Sequence, residues 1–328
     1  MNAIKLISKE EYNDLYFSNG ANSEDLKFLN STEYLEYSVN IGKNKEVIYI
    51  KFIFKSEVVL IFHILIRNPK FKGCISYNNP IRVSSKNRKV DSDSLNTIFL
   101  VFIKKLKLLL IKLMITRYVI EFLEFELSEL IQDRTLFQKL EPQNTLVIDF
   151  DSSKPHNFSY NRSLKRTLNS TELSDFRLKS GNSLDIYIDF YLDYVRFENE
   201  NQRNRRTLPI TEIEDSYQYL PKKHYNYFTL LYNDKAISLL GIYSFNDVWT
   251  EINSSTSLYA FENKIPASHI LHDMVLKQAH LQNAKRYDFA GLNNSNIDLK
   301  KKQINKFKYN FTKKIIHNSR IILYFPFF

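Results

Sequence analysis

The segment from Tyr287 to Ile315 combines residue types that bind anionic groups. It reads YDFAGLNNSNIDLKKKQINKFKYNFTKKI, in which aromatic residues are interspersed with closely spaced lysines. No Asp or Glu follows Asp298, and eight Lys or Arg residues lie beyond it. Much of the formal net charge of +10 is therefore concentrated at this end of the chain. Such a segment indicates either a solvated basic face or a surface to which an anionic ligand binds.

Two side chains are candidates for proton transfer. Asp288 lies in a predicted strand, 287–292, whose end is expected to face a cleft, although a carboxylate at this place also commonly caps the following turn. His224 lies in the segment PKKHYNYF, where a loop histidine beside two lysines is more often solvated. The sequence therefore leaves the general base open between these two residues.

Two clusters of cations indicate contacts to a diphosphate-linked sugar or lipid. The first lies on one face of the predicted helix 157–173, and the second lies in the predicted loop 203–210. Any one of these side chains could equally be a solvated surface cation, so the prediction depends on their clustering. The residues are Arg162, Lys165 and Arg166 in the first cluster, and Arg203, Arg205 and Arg206 in the second.

Metal chemistry and covalent catalysis are not indicated. Cys74 is the single cysteine, and we interpret it as a small buried residue, not a nucleophile. His269, His272 and Asp273 lie close together on a predicted helix, but their spacing is not that of His-Glu-x-x-His. The chain has only 6 Gly and no glycine-rich turn before a helix, which argues against acetyl-CoA as a ligand.

The apolar patterns predict a mixed α/β protein. Its 328 residues are enough for two domains, and 44% hydrophobic residues place it among folded proteins. Hairpins are predicted at 46–66 and 225–245, and helices at 96–116, 157–173, 183–201 and 267–286. Hairpin, strand and helix occur in both halves, so we predict two related units that divide near Pro142. The predicted domains are 1–142 and 143–328.

The segment 96–125 is the one candidate for membrane contact. Four lysines interrupt its apolar runs, and these cations fall within roughly half of the helix circumference. The pattern favours an amphipathic helix that packs on a core, with an interfacial membrane helix as the alternative. Glu10 and Glu11 precede any apolar run at the N-terminus, so no secretory signal is predicted. We expect a cytoplasmic protein, with the inner face of the membrane as an alternative location.

The C-terminal motifs resemble those of the FemABX aminoacyltransferases, which are relatives of the N-acetyltransferase (GNAT) superfamily. In that family a helix precedes a strand of the form YDFGG, and a loop then leads to an FK pair followed by FG. Here the order is HILHDMVLKQAHLQNAKRYDFAGL and then INKFKYNFTKKI. Ala290 and Thr312 stand where the family usually has glycine. The upstream segments TLVIDFDSS, YNRSLKRTLNST, FLNSTEYLEYS and ISYNNPI are also similar to the family, so the resemblance covers most of the chain.

The resemblance implies two GNAT-like domains, each a mixed sheet flanked by helices, with the substrate cleft in or beside their junction. It implies that Lys308, the lysine of the FK pair, stabilises the charge that develops at the reacting centre. It also implies substrate contacts from Tyr287, Gly291 and Phe307. The reaction would transfer an acyl or aminoacyl group to an amine of a cell-envelope precursor, either a peptidoglycan-type peptide or an amino sugar.

Three points stay open in the sequence. The donor is either aminoacyl-tRNA or an acyl-CoA or acyl-carrier thioester, and no permanently bound cofactor is expected. The acceptor is a nucleotide- or lipid-linked sugar or peptide, and a nucleotide-linked amino sugar of capsule or O-antigen synthesis is one alternative. Because Ala290 and Thr312 stand where glycine is usual, a different function also stays open: the chain could be a non-catalytic basic binding protein that has kept the fold.

Overall fold

A computed structural model of the 328-residue chain shows two compact units. The first comprises the chain up to Asn144 together with the C-terminal strand, and the second comprises Thr145–Ile316. The predicted boundary after residue 142 lies two residues before this division, but the predicted second domain also included the last strand. The structure describes residues 2–17, 31–42, 45–55, 57–68, 73–74, 81–82, 92–113, 115, 117–123, 139–142, 144–151, 158–292 and 299–324.

Both units contain helices and strands. The elements before residue 145 are β1 (Ala3–Ile7), α1 (Lys9–Phe17), α2 (Thr32–Asn40), β2 (Glu46–Phe54), β3 (Glu57–Asn68), β4 (Gly73–Cys74), β5 (Ile81–Arg82), α3 (Ser92–Lys112), β6 (Arg117–Leu123) and β7 (Lys139–Pro142). Those after it are β8 (Thr145–Asp149), α4 (Arg162–Ser170), β9 (Phe176–Gly181), α5 (Leu184–Glu200), α6 (Ile210–Tyr219), β10 (Tyr225–Tyr232), β11 (Lys235–Phe245), β12 (Val248–Thr256), α7 (Leu258–Glu262), α8 (Ala267–Leu281), β13 (Arg286–Asp288), α9 (Leu299–Tyr309), β14 (Ile315–Ile316) and β15 (Asn318–Tyr324).

The first unit is a mixed sheet with a helix packed on its apolar face. Its strand order is β1-β2-β3-β4-β6-β15-β7, and β5 pairs with β3. Alternate residues of β2 and β3 point to one face, where α3 covers them. Ile50, Phe52 and Phe62 thereby form a core with Phe102 and Leu106 of the helix. Among the described residues, no helix is long and apolar enough to cross a lipid bilayer.

The second unit is a sheet of order β14-β8-β13-β12-β11-β10-β9. Its core lies under α8, whose residues Ile270, Leu271 and Val275 are almost completely buried against the strands. A glycine-free turn joins β10 to β11, with Asn233 and Asp234 at φ 48° and 62°. Asn and Asp tolerate this left-handed conformation better than most residues do, so they fit a tight hairpin turn.

The sequence predictions for these elements are largely confirmed. Both predicted hairpins are present as β2–β3 and β10–β11. The strand predicted at 73–81 is described only at its two ends, as β4 and the first residue of β5, and residues 75–80 lie outside the described part of the chain. The predictions did not include β12 or α6, and β12 lies beside the candidate site.

A buried histidine in the first unit makes stability depend on pH. Burial lowers the pKa of His63 to about 3, from about 6.5 in an unfolded chain. The unfolded state therefore binds one more proton than the folded state between these two values, and stability falls as the pH decreases through this window. We expect the contribution of His63 to the slope to approach 1.4 kcal/mol per pH unit between pH 5.5 and 4.

Urea unfolding at several pH values measures this slope. His63→Leu should make the free energy of unfolding less dependent on pH in this window, whatever its effect on stability at pH 7. An unchanged slope would mean that His63 titrates alike in the folded and unfolded chains.

Candidate active site

A gap between two strands of the second unit opens at the end of β13. β12 and β13 run parallel but pair only through Val248–Thr250 and Arg286–Asp288. β12 continues to Thr256, and Asn253 and Ser254 in this extension are exposed. Within the described part of the chain, no strand pairs with this edge of residues 251–256. An extended ligand could therefore add to the open edge, beside the turn that follows Asp288.

Lys308 of α9 binds the backbone of the turn that follows Asp288. Its side chain is buried, and its Nζ donates to the carbonyl oxygens of Phe289 at 2.5 Å, Ala290, and Gly291 at 3.0 Å. An ammonium group has three N–H donors, so three carbonyl acceptors satisfy it completely. Burial lowers the pKa of the Lys308 ammonium, while the carboxylates of Glu251 and Asp288 act in the opposite direction. The structure thus places Lys308 against the backbone of the turn.

The backbone N–H groups of the same turn point away from Lys308. All described peptide bonds are trans, so the N–H of each peptide plane is directed opposite to its C=O. The N–H groups of Gly291 and Leu292 belong to two of the planes whose carbonyls face Lys308, and they therefore point away from it. Gly291 is exposed, and a Cβ added there would meet no atom within 4 Å. The outer side of the turn consequently offers backbone donors next to open space.

Asp288 caps the turn. Its Oδ1 accepts from the Ala290 N–H at 2.8 Å and from the hydroxyl of Thr145 on β8. These contacts correspond to the structural alternative for this residue. Its predicted role as a general base is left as a prediction.

Ala290 lies in a backbone conformation that glycine adopts with less strain. Its φ is 51°, in the left-handed region, where a Cβ crowds the backbone. Thr312 has a different role: its Oγ1 donates to the Val147 carbonyl at 2.9 Å and ties the segment after α9 to β8. Ala290 therefore strains a turn, and Thr312 adds a hydrogen bond.

We expect Ala290→Gly to raise the free energy of unfolding by about 0.5–1 kcal/mol. The gain is the relief of left-handed strain, reduced by the greater flexibility of glycine in the unfolded chain. Urea unfolding measures it, and Ala290→Val is the matched variant, because a β-branched side chain tolerates this region poorly and should lower stability. In a helix, alanine is more stabilising than glycine. If the original chain with Ala290 proved more stable than the Ala290→Gly variant, a left-handed turn at this position would be contradicted.

Glu251 and His272 form a buried acid–base pair beside the gap. Glu251 lies on β12, one residue beyond the last pairing with β13, and His272 lies on α8. The His272 Nδ1 lies 2.6 Å from the Ser268 carbonyl and must donate to it, and its Nε2 lies 3.0 Å from Glu251 Oε1. A carboxylate oxygen and an unprotonated ring nitrogen are both acceptors, so one proton must lie between them. Glu251 and His272 therefore share one proton at the edge of the gap.

Tyr287 supports this pair. It is completely buried, and its hydroxyl donates to Glu251 Oε1 at 2.8 Å. Burial and the neighbouring Glu251 carboxylate raise the pKa of the Tyr287 phenol well above its usual range. The Tyr287 side chain thus orients Glu251, and its predicted substrate contact stays a prediction.

Phe307 lies in an aromatic cluster around the pair. Its ring centroid is 4.8 Å from that of His269, 4.9 Å from His272 and 5.3 Å from Phe311. The half-buried ring thus packs chiefly on protein, and its predicted substrate contact stays a prediction. Asp273, the neighbour of His272 on α8, accepts from Tyr160 at 3.0 Å and from Lys277 at 2.6 Å. The surroundings of the Cys74 side chain lie outside the described part of the structure.

His224 is remote from the gap. It precedes β10, and the strand register runs from Tyr225 through Tyr243 and Thr250 to Asp288. Three strand spacings separate the ends of this row by about 14 Å. The His224 Nδ1 lies 2.8 Å from the Ser244 carbonyl. The structure therefore does not bring the two predicted bases together.

The two basic clusters differ in their availability to a ligand. In the second cluster, Arg203 makes two bonds of 2.7 and 2.8 Å to the buried carboxylate of Glu198, and Arg205 lies 3.7 Å from it. Arg206 lies 3.9 Å from Glu212. These arginines thus have partners within the protein, and their predicted contact with a diphosphate stays a prediction.

The first cluster stays exposed on α4. The side chains of Arg162, Lys165 and Arg166 are all directed to solvent. Arg162 also lines an open groove of about 960 Å³ with Lys313 and Lys314, and aromatic residues form much of its wall. Lys314 pairs with Asp149 in this groove. A phosphate-bearing ligand remains a prediction for this surface.

Solved structures share this architecture over almost the whole chain. FemX aligns with a TM-score of 0.65 and 11% identity, covering 98% of this chain and 97% of that one. The chain has a tandem GNAT-like fold. A tandem GNAT protein from the clavulanic acid biosynthesis pathway aligns with a TM-score of 0.54 and 8% identity, over 98% of both chains. L-PGS from Bacillus licheniformis gives 0.53 and 11%, over 97% of this chain and 92% of that one.

These structures confirm the predicted fold of a mixed sheet with helices in each of two units. No family model and no curated protein matches the sequence. The sequence of this tandem GNAT-like chain did not indicate Glu251 as a site residue, because the segment VWTEINSST was not predicted to be a strand. His272 was noted only within a group whose spacing did not indicate a metal site. The segment VWTEINSST has apolar residues only at Val248, Trp249 and Ile252, so no regular alternation indicated a strand around Glu251.

Proposed function

We propose that this chain transfers an acyl or aminoacyl group to an amine of a cell-envelope precursor, a peptidoglycan-type peptide or an amino sugar. The observation that carries the proposal is the Glu251–His272 pair at an open strand edge, next to the turn 288–292. Acyl transfer to an amine requires removal of a proton, stabilisation of a developing oxyanion and alignment of two reactants. The described residues supply a group for each requirement.

The open edge of β12 aligns the donor. Its unpaired backbone groups, from Glu251 to Thr256, would bind the extended arm that carries the acyl group, as an added strand does. The reacting carbonyl would then lie near the turn, where the amides of Gly291 and Leu292 are donors for its oxygen. Lys308 polarises these peptide units from the opposite side, and its cation therefore acts through the backbone.

Glu251 accepts the proton of the attacking amine. With one proton shared between Glu251 and His272, the pair takes up a second when the amine attacks the carbonyl carbon. The tetrahedral intermediate then breaks the bond between its carbon and the donor oxygen or sulfur, the leaving group takes the second proton from the pair, and the new C–N bond of the amide is retained. General base catalysis of this kind typically contributes about 10²–10⁴ in rate.

Aminoacyl-tRNA is the preferred donor, and a CoA or acyl-carrier thioester is the alternative. The segment between β12 and α8, residues 257–266, contains no glycine, so it lacks the turn with which a helix N-terminus closely approaches a pyrophosphate. The net charge of +10 suits tRNA and a diphosphate-linked acceptor equally. The exposed cluster of Arg162, Lys165 and Arg166 is the proposed contact for such an acceptor.

A second candidate function is binding without catalysis. The observation that favours it is the complete engagement of Lys308 by carbonyl groups, since a catalytic cation would be expected to face the reacting atoms. In this case the basic surface binds an anionic ligand, and the Glu251–His272 pair is a structural element of the core.

A thermal-shift screen distinguishes these functions. The purified chain is tested against CoA, acetyl-CoA, UDP-linked amino sugars, UDP-linked muramyl peptide and charged tRNA at two salt concentrations. A ligand at a hundredfold excess over its Kd stabilises the folded state by about 2.7 kcal/mol. A salt-tolerant shift with a nucleotide sugar or peptide, followed by product formation with one donor, supports transfer. A shift with tRNA alone that disappears in high salt supports binding only.

A further inference from the structure

The outer face of α3 carries cations around two exposed apolar residues. Leu108 is 56% exposed and Ile111 is 42% exposed, although both are aliphatic. At 100° per residue, Lys104, Lys105 and Lys112 fall with them in an arc of about 120° centred on Leu108. All three lysines are exposed. We call these five residues the α3 face.

The α3 face is distinct from the side of the helix that builds the core. Phe102, Ile103, Leu106 and Leu110 are completely buried and lie on the opposite side of α3. The core is therefore formed by a full apolar stripe, and Leu108 and Ile111 lie outside it. No Asp or Glu occurs between Asp93 and Glu121, so the helix has no acid of its own to neutralise these lysines.

We propose that the α3 face docks on an anionic lipid surface. Leu108 and Ile111 insert into the boundary between headgroups and acyl chains, and the three lysines bind the lipid phosphates around them. An interfacial helix needs these two features on one face, and each lysine near an anionic membrane strengthens binding about fivefold. The docking is peripheral, and it does not depend on the transfer reaction.

Two other occupants fit the α3 face less well. A second copy of the chain in a two-fold dimer would bring the same patch against itself, and three lysines would then face three lysines. A nucleic acid would satisfy the lysines, but it offers phosphates and sugars, and no apolar phase, to Leu108 and Ile111. A membrane surface satisfies both kinds of side chain at once.

Flotation of the full chain with lipid vesicles tests the proposal. Vesicles of phosphatidylcholine alone are compared with vesicles that contain 30% phosphatidylglycerol, at 0.1 M salt. We expect binding to the anionic vesicles and little to the neutral ones. The triple variant Lys104→Gln, Lys105→Gln, Lys112→Gln should weaken the partition about 100-fold, from three steps of about fivefold each. Leu108→Ser with Ile111→Ser should weaken it at least tenfold without a change of charge.

A charge-matched control is available on the second unit. Lys264, Lys302 and Lys306 are exposed, so their replacement by Gln removes the same three charges elsewhere. It should leave binding within about threefold of the original chain. An equal loss in the two triple variants, or normal binding by the Leu108/Ile111 variant, would show a nonspecific charge effect and overturn the proposal.

Two further readouts exclude the other occupants. Sedimentation velocity of the Leu108/Ile111 variant should match that of the original chain, and loss of a dimer would assign the α3 face to self-association. Binding to tRNA should be equal in the two triple variants, and a selective loss in the α3 variant, with vesicle binding retained, would assign the face to nucleic acid. All variants change exposed side chains only, and circular dichroism verifies that they are folded.

Discussion

Lys308→Met is expected to lower the free energy of unfolding by about 3 kcal/mol. The substitution removes one buried ammonium group and leaves the carbonyls of Phe289, Ala290 and Gly291 without their donor. Each buried carbonyl without a partner costs about 1–3 kcal/mol, and the exposed side of the turn can relax to recover part of the loss from water. Urea unfolding at pH 7 measures the difference.

Lys306 provides the matched control on the same helix. It is exposed, and Lys306→Met removes the same charge two residues away without changing the turn. We expect a stability change of less than about 0.5 kcal/mol, which is usual for surface positions. A Lys308 variant as stable as the Lys306 variant would show that the ammonium does not bind the turn, and would return Lys308 to the direct catalytic role that the family resemblance implies.

This expectation separates two explanations of an inactive Lys308 variant. If Lys308 contacts the substrate, activity falls and stability stays the same. If it positions the turn, activity and stability fall together, and the loss of activity follows from disordered amides at Gly291 and Leu292. Activity measured well below the unfolding midpoint, on protein verified as folded, distinguishes these cases.

The sequence was informative where periodicity and chemistry agreed. The β10–β11 hairpin was predictable because Asn233 and Asp234 suit its turn and apolar residues flank them on both sides. The core side of α3 was predictable because lysines and apolar residues separate around the helix. The YDFAG and FK motifs indicated the fold, although their residues proved to have more internal partners than a substrate-binding role requires.

The candidate site was less predictable for a physical reason. Glu251 belongs to β12, whose residues from 251 to 256 are mostly polar although the segment is a strand. The partnership of Glu251 with His272 joins a strand to a helix 21 positions later, and no local pattern reports such a contact. Likewise, Arg203 and Glu198 pair across a helix end, so the sequence showed the cations without the carboxylate that binds them.

Glu251→Gln is expected to reduce the rate of transfer by about 10²–10⁴ while the fold is retained. Glutamine has nearly the same shape, and its amide nitrogen, placed where Oε1 lies, can donate to the His272 Nε2 and to the Tyr287 oxygen. It has no affinity for the proton of the attacking amine, so the base is lost without a cavity. The Tyr287 O–H loses its acceptor, and we therefore expect the free energy of unfolding to fall by about 1–3 kcal/mol.

The measurement uses the donor and acceptor selected by the ligand screen, with product formation followed at saturating concentrations of both. Glu262→Gln is the matched control, because Glu262 is exposed on α7 and its replacement makes the same change of charge. His272→Phe tests the pair from the other side: it keeps a ring in the aromatic cluster but removes the group that shares the proton. Loss of transfer in both pair variants, with Glu262→Gln unaffected, assigns proton transfer to the pair.

Two other outcomes would revise the mechanism in different ways. A Glu251→Gln chain that transfers at the normal rate would show that the amine loses its proton to another group, and Asp288 would then be the next residue to test. A loss of stability well above about 3 kcal/mol, in parallel with the loss of activity, would place Glu251 in the core as a partner for Tyr287. In that case the open edge of β12 would remain as a binding surface, and the non-catalytic function would account for all of the described contacts.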